Sequence, residues 1–183
     1  GVTLANTPTI STRGNDSNST LTFAGVMSGS GGINFAGTAG EVTEFGSGTA
    51  DTAANTYTGD VGLFGGARVV LNKANNTTAI TGDVVINGGT LTFKRAGQEN
   101  QLAAGSKVYL YSGALGVNPG TNVGTMPRDF SGVVPEVIMK GGELNSGWGS
   151  LQVNKATISG GAITVQGTYD VGGTLILNDT VLL

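Results

Sequence analysis

The stretch Val84–Phe93, which reads Val-Val-Ile-Asn-Gly-Gly-Thr-Leu-Thr-Phe, decides the fold of this chain. Alternation at period two places Val84 and Ile86 on one face of a short strand. The same alternation places Leu91 and Phe93 on one face of a second strand. The Gly-Gly pair between the two strands predicts a sharp corner, because glycine accepts backbone angles that other residues avoid.

The same pattern of strand, Gly-Gly corner and strand recurs in residues 137–144, 156–165 and 169–177. A Gly-Gly link could also join two antiparallel strands as an isolated hairpin. Repetition favours stacking, because strands this short bury little surface alone, whereas stacked copies share one continuous apolar core. The sequence therefore predicts an all-β fold, a right-handed parallel β-helix (solenoid), with irregular coils because the Gly-Gly pairs are unevenly spaced.

The composition excludes several classes of protein and of site. Gly supplies 33 of the 183 residues, 11% of the residues are charged, and Cys and His are both absent. Disulfides, metal sites built on His or Cys, and a histidine base are therefore excluded. A mostly helical fold is disfavoured, because glycine is a poor helix former. The net charge of −3 provides no electrostatic footprint for nucleic acid.

A single domain accounts for the whole chain. We predict one β-solenoid segment over residues 1–183, with a loop inserted at about 112–135, where Pro119, Pro127 and Pro135 interrupt the strand pattern. A loop on a rigid scaffold is either a binding element or a passive insertion. Residues 178–183 form an apolar strand without a polar cap, which predicts that the chain continues in nature or packs against another subunit.

Three stretches in the first half of the chain follow the order of a known repeat. They are Leu21–Ile33, which contains Ser-Gly-Ser-Gly-Gly, then Ala54–Gly59, which reads Ala-Asn-Thr-Tyr-Thr-Gly, and then Val85–Leu91. In this order they resemble the autotransporter-associated β-strand repeat, also called the passenger-associated transport repeat. The resemblance implies a β-helical passenger exported to the bacterial surface by type V secretion or a related pathway. It transfers no catalytic residues, because the repeat is structural in that family.

Fold and resemblance together predict a non-catalytic structural role without a cofactor. We expect a stalk, an adhesin shaft or an extracellular matrix fibre, secreted or displayed on the bacterial cell surface. The expected partners are further copies of the chain, in a homo-oligomer or fibre, or a surface receptor or glycan, with no nucleic acid and no membrane insertion by this segment. Two alternatives stay open: a self-assembling extracellular filament subunit, and a carbohydrate-binding or polysaccharide-cleaving β-helix.

Asp60 and Asp83 are the candidate metal ligands, although no metal site is predicted outright. Both lie in a Thr-Gly-Asp-Val context. Their separation is close to one solenoid coil of roughly 20 residues, so they could stack at one edge in successive coils. Two stacked carboxylates could bind a hard cation such as Ca²⁺. The alternative is that Gly-Asp forms a turn with a solvated carboxylate.

The other acidic residues and the aromatic residues provide further candidates. Glu41, Glu44 and Asp51 form an acidic cluster, which we interpret as solvated loop charge. Five aromatic residues could stack on sugars if they line one exposed face, or could pack within the fold; they are Tyr57, Tyr109, Tyr111, Trp148 and Tyr169. Four asparagines that end strand-like runs are candidates for a hydrogen-bonded ladder or for plain turns: Asn72, Asn87, Asn154 and Asn178.

Overall fold

The structure, a computed structural model, describes residues 1–12, 19–38, 41–94, 100–117, 131–147, 149–165, 167–168, 171–172 and 174–183. None of these residues is helical. The strands that they form are β1 (Val2–Leu4), β2 (Thr9–Thr12), β3 (Thr20–Phe23), β4 (Met27–Gly29), β5 (Ile33–Gly37), β6 (Val42–Phe45), β7 (Val61–Phe64), β8 (Arg68–Leu71), β9 (Val84–Phe93), β10 (Lys107–Val117), β11 (Ser131–Met139), β12 (Glu143–Asn145), β13 (Ser150–Ile158), β14 (Ala162–Thr164), β15 (Gly167–Thr168), β16 (Val171–Gly172), β17 (Thr174–Leu177) and β18 (Thr180–Leu182).

The chain winds into a right-handed parallel β-helix, as the sequence predicts. Ladder A stacks β2, β5, β7, the first part of β9, the first part of β10, the last parts of β11 and β13, and β18. Ladder B stacks β3, β6, β8, the second parts of β9 and β10, β12 and β14. Pairing is parallel throughout the described strands, except between the short β15 and β16.

Ladder C forms the third side of the coil. It contains β1 and β4 at one end, and the first parts of β11 and β13 with β17 at the other. Between them, residues 55–58, 78–80 and 101–103 continue the stack through backbone hydrogen bonds, such as Thr56 N to Met27 O at 2.8 Å. Each coil runs through ladder C, then A, then B.

The coils differ in length while the strands stay in register. On ladder A, Val61 pairs with Val84, and Val84 pairs with Val108. The coil that leads from Val137 to its partner Ala156 is markedly shorter than the coil that leads from Val108 to Val137. The irregular coils that the uneven Gly-Gly spacing predicts are therefore present, and the hairpin alternative is wrong for these strands.

The core consists of columns of inward side chains that stack from coil to coil. One column on ladder A contains Leu63, Ile86, Leu110 and Met139, and all four are buried. Ladder B contributes Val69, Leu91, Leu115 and Leu144. In the first coils the rings of Phe23, Phe35 and Phe45 pack edge to face, with centroids 5.6–6.4 Å apart. Alternation in each strand thus produces one continuous apolar interior.

Close approach between coils explains the glycine in the repeated Thr-Gly-Asp-Val. A Cβ atom added to Gly59 would lie 2.2 Å from the backbone nitrogen of Gly32. A Cβ atom added to Gly82 would lie 2.4 Å from the carbonyl oxygen of Gly59. Because the corner backbones touch, each of these positions accepts only a residue without a side chain.

The bounds predicted for the inserted loop, about 112–135, are too wide. β10 continues to Val117, and β11 begins at Ser131, so both margins of the predicted loop are strand. The alternation continues through Leu115 and Val117, which face inward and pair with Leu91 and Phe93. Residues 118–130, with Pro119 and Pro127, lie outside the described residues.

Replacing Leu110 with alanine tests the stacked core. Leu110 is fully buried in the middle of its column, so we expect Leu110→Ala to lower the free energy of unfolding by about 2–5 kcal/mol. Thr157→Ala, on the outward side of β13, is the control, with an expected loss below about 1 kcal/mol. Urea denaturation followed by far-ultraviolet circular dichroism measures both. Equal losses in the two variants would contradict the assignment of the core.

Candidate functional site

A lysine ammonium group lies wholly inside the fold, at the connection between ladders B and C. Lys73 Nζ donates to Asp51 Oδ1 at 2.9 Å, to Gly25 O at 2.8 Å and to Ala53 O at 2.9 Å. These three acceptors match the three protons of an ammonium group. The Lys73 side chain has no exposed surface, and that of Asp51 has almost none. The ion pair therefore links successive coils and presents no group to a substrate.

Two amide side chains extend this buried network. Gln101 Oε1 accepts from Lys73 N at 3.2 Å, and its Nε2 donates to Ala74 O at 2.9 Å. Asn55 Oδ1 accepts from Met27 N at 2.9 Å, while its Nδ2 donates to Ala79 O at 2.7 Å. We call Asp51, Asn55, Lys73 and Gln101 the polar spine. Each of its side chains bridges coils and satisfies backbone groups that the ladders leave unpaired.

The acidic cluster is not the solvated loop charge that the sequence predicts. Asp51 belongs to the polar spine and also accepts from Gly25 N at 3.0 Å. Glu44 forms an ion pair with Lys94 and accepts from Asn72 Nδ2 at 3.0 Å. Glu41 is buried, and its Oε2 has no hydrogen-bond partner in the described part of the chain. The local charge pattern did not predict these contacts. The partners of Asp51 and Glu44 lie far away in the sequence, and the winding of the chain into coils brings them close.

Asp60 and Asp83 do stack at one edge in successive coils, which confirms that part of the prediction. Asp60 Oδ1 accepts from Asp83 N at 3.0 Å, and Asp83 Oδ1 accepts from Lys107 N at 2.8 Å. Each carboxylate thus caps the backbone of the next coil. Calcium binding by this pair stays a prediction; among the described residues, no group of three or more Asp and Glu side chains is arranged to hold a metal ion.

The stack of charges continues along the same corner. Lys107 pairs in register with Glu136, and Glu136 pairs with Lys155. Glu136 lies 3.7 Å from Lys107 Nζ and 3.3 Å from Lys155 Nζ. We call Asp60, Asp83, Lys107, Glu136 and Lys155 the charged column. Because it lies at the surface, water screens its ion pairs, and each contributes little to stability.

The aromatic candidates divide into buried and exposed residues. Tyr57 is buried, and its hydroxyl donates to Ala79 O at 3.2 Å, so it packs within the fold. Tyr109 and Tyr111 both lie on the outward side of β10, where Tyr111 is 43% exposed. Trp148 and Tyr169 lie outside the described residues. Tyr109 and Tyr111 therefore share the outward side of β10, with Tyr111 exposed and Tyr109 half-buried.

Two asparagines outside the four predicted positions form a hydrogen bond between coils. Asn100 Nδ2 donates to Asn76 Oδ1 at 2.9 Å, and both residues have positive φ, 58° and 56°. Asparagine tolerates this left-handed conformation better than most residues, which was the available signal. Of the four asparagines predicted to end strands, Asn154 and Asn178 occupy equivalent positions in two coils, because they directly follow the paired residues Val153 and Leu177. Asn87 instead accepts from Ser112 Oγ.

Comparisons with protein-family models, with curated proteins and with solved structures find no match to this chain. The resemblance to the autotransporter-associated repeat therefore rests on the three quoted stretches alone. In the part of the chain that the structure describes, no helix is long and apolar enough to cross a membrane. The features that bear on function are the stacked corners, the polar spine and the outward side of β10 with Tyr109 and Tyr111.

Replacing Lys73 tests the polar spine. Lys73→Met leaves the Asp51 carboxylate buried and unpaired, so we expect the free energy of unfolding to fall by about 3–5 kcal/mol. The double variant Lys73→Met with Asp51→Leu removes the unpaired charge and should recover part of that loss. Lys107→Met, which breaks a surface ion pair, is the control, with an expected loss of about 0–1 kcal/mol. Urea denaturation measures all three, and a Lys73→Met loss no larger than that of the control would refute the network.

Tyr57 gives the chain a specific sensitivity to alkaline pH. Burial raises the pKa of Tyr57 above its ordinary value. Neutral Tyr57 therefore contributes fully to stability below the pKa of tyrosine in the unfolded chain, about 10, and this contribution is lost as pH rises above that value. We expect the free energy of unfolding to fall above about pH 10, and to fall less steeply in Tyr57→Phe. Urea denaturation at a series of pH values checks this, with the exposed Tyr111→Phe as the control; equal slopes in the parent chain and Tyr57→Phe would contradict it.

Proposed function

We propose that this chain is a non-catalytic structural segment of a secreted or cell-surface bacterial protein, working as a stalk, adhesin shaft or matrix fibre. The observation that carries the proposal is ladder A, on which eight strand segments stay in register from β2 to β18. An unbroken ladder makes the coils into one mechanical unit, because each coil is hydrogen-bonded to the coils before and after it.

Stiffness follows from the direction of these hydrogen bonds. Backbone bonds on all three sides run along the axis, so bending the solenoid must stretch bonds on one side. The polar spine adds side-chain bonds in the same direction, for example from Lys73 to Gly25, which lies much earlier in the chain. A segment of this kind transmits force and holds whatever it carries at a fixed distance from its base.

The proposed location rests on the resemblance to the autotransporter-associated repeat and on the composition. Two of the resembling stretches stack directly on each other, since Thr58 N donates to Gly29 O at 3.0 Å and Gly59 packs against Gly31 and Gly32. Their Gly and Thr residues thus serve coil stacking, which is the role that the repeat has in that family. The composition, rich in Gly and without Cys, is compatible with that location.

Labelling of cells tests the proposed location. Antibodies raised against the purified chain are applied to intact and to permeabilised cells of the bacterium that produces it, and its culture medium is assayed in parallel. We expect signal on intact cells or in the medium, because the proposed segment is displayed or secreted. Signal confined to permeabilised cells would contradict the proposal, and a cytoplasmic protein of the same cells serves as the permeability control.

Sedimentation velocity separates a stalk from a self-assembling filament subunit. A stalk segment keeps one sedimentation coefficient across a hundredfold range of concentration, whereas a filament subunit forms larger species as concentration rises. The first result is the one expected for a stalk or an adhesin shaft. Growing species that negative-stain images show as fibres would favour the filament alternative.

A further inference from the structure

The outward side of ladder A carries a continuous row of apolar and aromatic side chains. Register places Gly62, Val85, Tyr109 and Ile138 at one position in successive coils. Gly62 has no side chain, and the amide of Asn34 and the ring of Phe64 cover its place, since a Cβ atom added there would lie 2.4 Å from Asn34 Oδ1 and 2.5 Å from Phe64 Cε2. The row is thus filled in each of these coils. We call Phe64, Val85, Tyr109, Tyr111 and Ile138 the outer stripe.

A β-bulge sets the position of Tyr111 in this stripe. The pairing between β9 and β10 shifts register on either side of Ser112, and Tyr111 has no partner on β9. A bulge re-aims side chains and is frequent beside functional sites. The ring of Tyr111 also has Lys140 Nζ 5.7 Å from its centroid, within the range of a cation–π contact. Tyr111 is therefore held in place although 43% of its surface is exposed.

Hydrogen-bonding groups flank the outer stripe on both sides. On one side runs the charged column, in which Asp60, Asp83 and Lys107 come two residues before the stripe positions on the same face. On the other side lie Lys140 and the exposed pair of Asn87 and Ser112, joined by a hydrogen bond of 3.0 Å. An apolar floor with polar edges suits a ligand that is itself apolar on its faces and polar at its rim.

We propose that the outer stripe binds a neutral polysaccharide chain lying along the solenoid axis. Sugar rings present C–H groups on their faces, which pack on aromatic rings, and hydroxyl groups at their edges, which bond to carboxylates, amides and ammonium groups. The charges beside the stripe balance, because the carboxylates of Asp60, Asp83 and Glu136 are matched by the ammonium groups of Lys107, Lys140 and Lys155. A rim without net charge does not attract a polyanionic chain. Coils repeat about every 4.8 Å, so the stripe offers similar contacts at regular steps to a ligand built of repeated units.

This inference does not depend on the structural role proposed above. A segment without any stalk function could bind glycan through the outer stripe, and a stalk could lack glycan binding. The two proposals therefore stand or fall on separate measurements: cell labelling and sedimentation for the first, and glycan binding for the second.

Affinity electrophoresis in gels containing soluble polysaccharides tests the proposal. The probes are mixed-linkage β-glucan, xyloglucan, galactomannan and soluble α-glucan, with polygalacturonate as the anionic comparison. We expect at least one neutral polysaccharide to retard the chain and polygalacturonate not to. Because the exposed ring is lost, Tyr111→Ala should weaken binding at least tenfold, and the double variant with Tyr109→Ala should abolish it.

Ile176→Ala is the matched control. Ile176 is 41% exposed, close to Tyr111, but it lies on the outward side of ladder C. We expect its affinity to match that of the parent chain within twofold, and circular dichroism verifies that each variant is folded. Tyr111 sits at the surface, so the single variant keeps the test valid if the double variant does not fold.

Three outcomes would overturn the proposal. They are no retardation by any of the neutral polysaccharides, undiminished binding by Tyr111→Ala, and retardation by polygalacturonate as strong as that by the best neutral polysaccharide. Sedimentation velocity distinguishes a glycan site from a contact between copies of the chain. If the parent chain self-associates and Tyr111→Ala is monomeric, the outer stripe is a contact between copies of the chain and not a glycan site.

Discussion

Hydrogen bonding between the backbones of successive coils is the constraint on which the rest of this structure depends. Once β7 lies on β9 with Val61 beside Val84, every neighbouring side chain has a fixed partner above and below it. Inward positions become apolar columns, outward positions become surface columns, and corner positions touch. Gly59 and Gly82 are glycine for this reason alone, since the spacing of the coils leaves no room for a Cβ atom.

The two halves of the solenoid meet this constraint with different side chains. In the early coils the polar spine and the edge-to-face phenylalanine rings fill the interior. In the later coils the interior contains aliphatic residues, among them Val137, Leu144, Leu151 and Val153. A buried ion pair adds little net stability compared with apolar packing, but it fits only one register. We infer that the polar spine selects the register of the early coils, where the connections between strands are long.

Much of the fold could be predicted from sequence, because its signals are local. Alternation and the Gly-Gly corner of Val84–Phe93 predict the unit, and repetition of the unit predicts stacking. The separation of Asp60 and Asp83 by one coil length, in identical local contexts, was enough to place them in adjacent coils. The ion pair of Lys73 and Asp51 carried no such signal, because a single lysine and a cluster of acidic residues ordinarily indicate surface. The bulge at Tyr111 also has no local signature, since it arises from the pairing of β9 with β10.

The unequal coils have a consequence for how such a chain changes over time. The stretch of chain from Ile33 to Val61 is longer than the stretch from Val61 to Val84, yet both pairs occupy equivalent places on ladder A. Most of the surplus falls between β6 and β7. That connection also carries Asp51 and Asn55 of the polar spine and residues 55–58 of ladder C, so a change of length leaves the hydrogen-bonded frame intact only at its exposed turn, at Thr49 and Ala50. The same turn is a natural position for grafting a foreign epitope or an affinity tag.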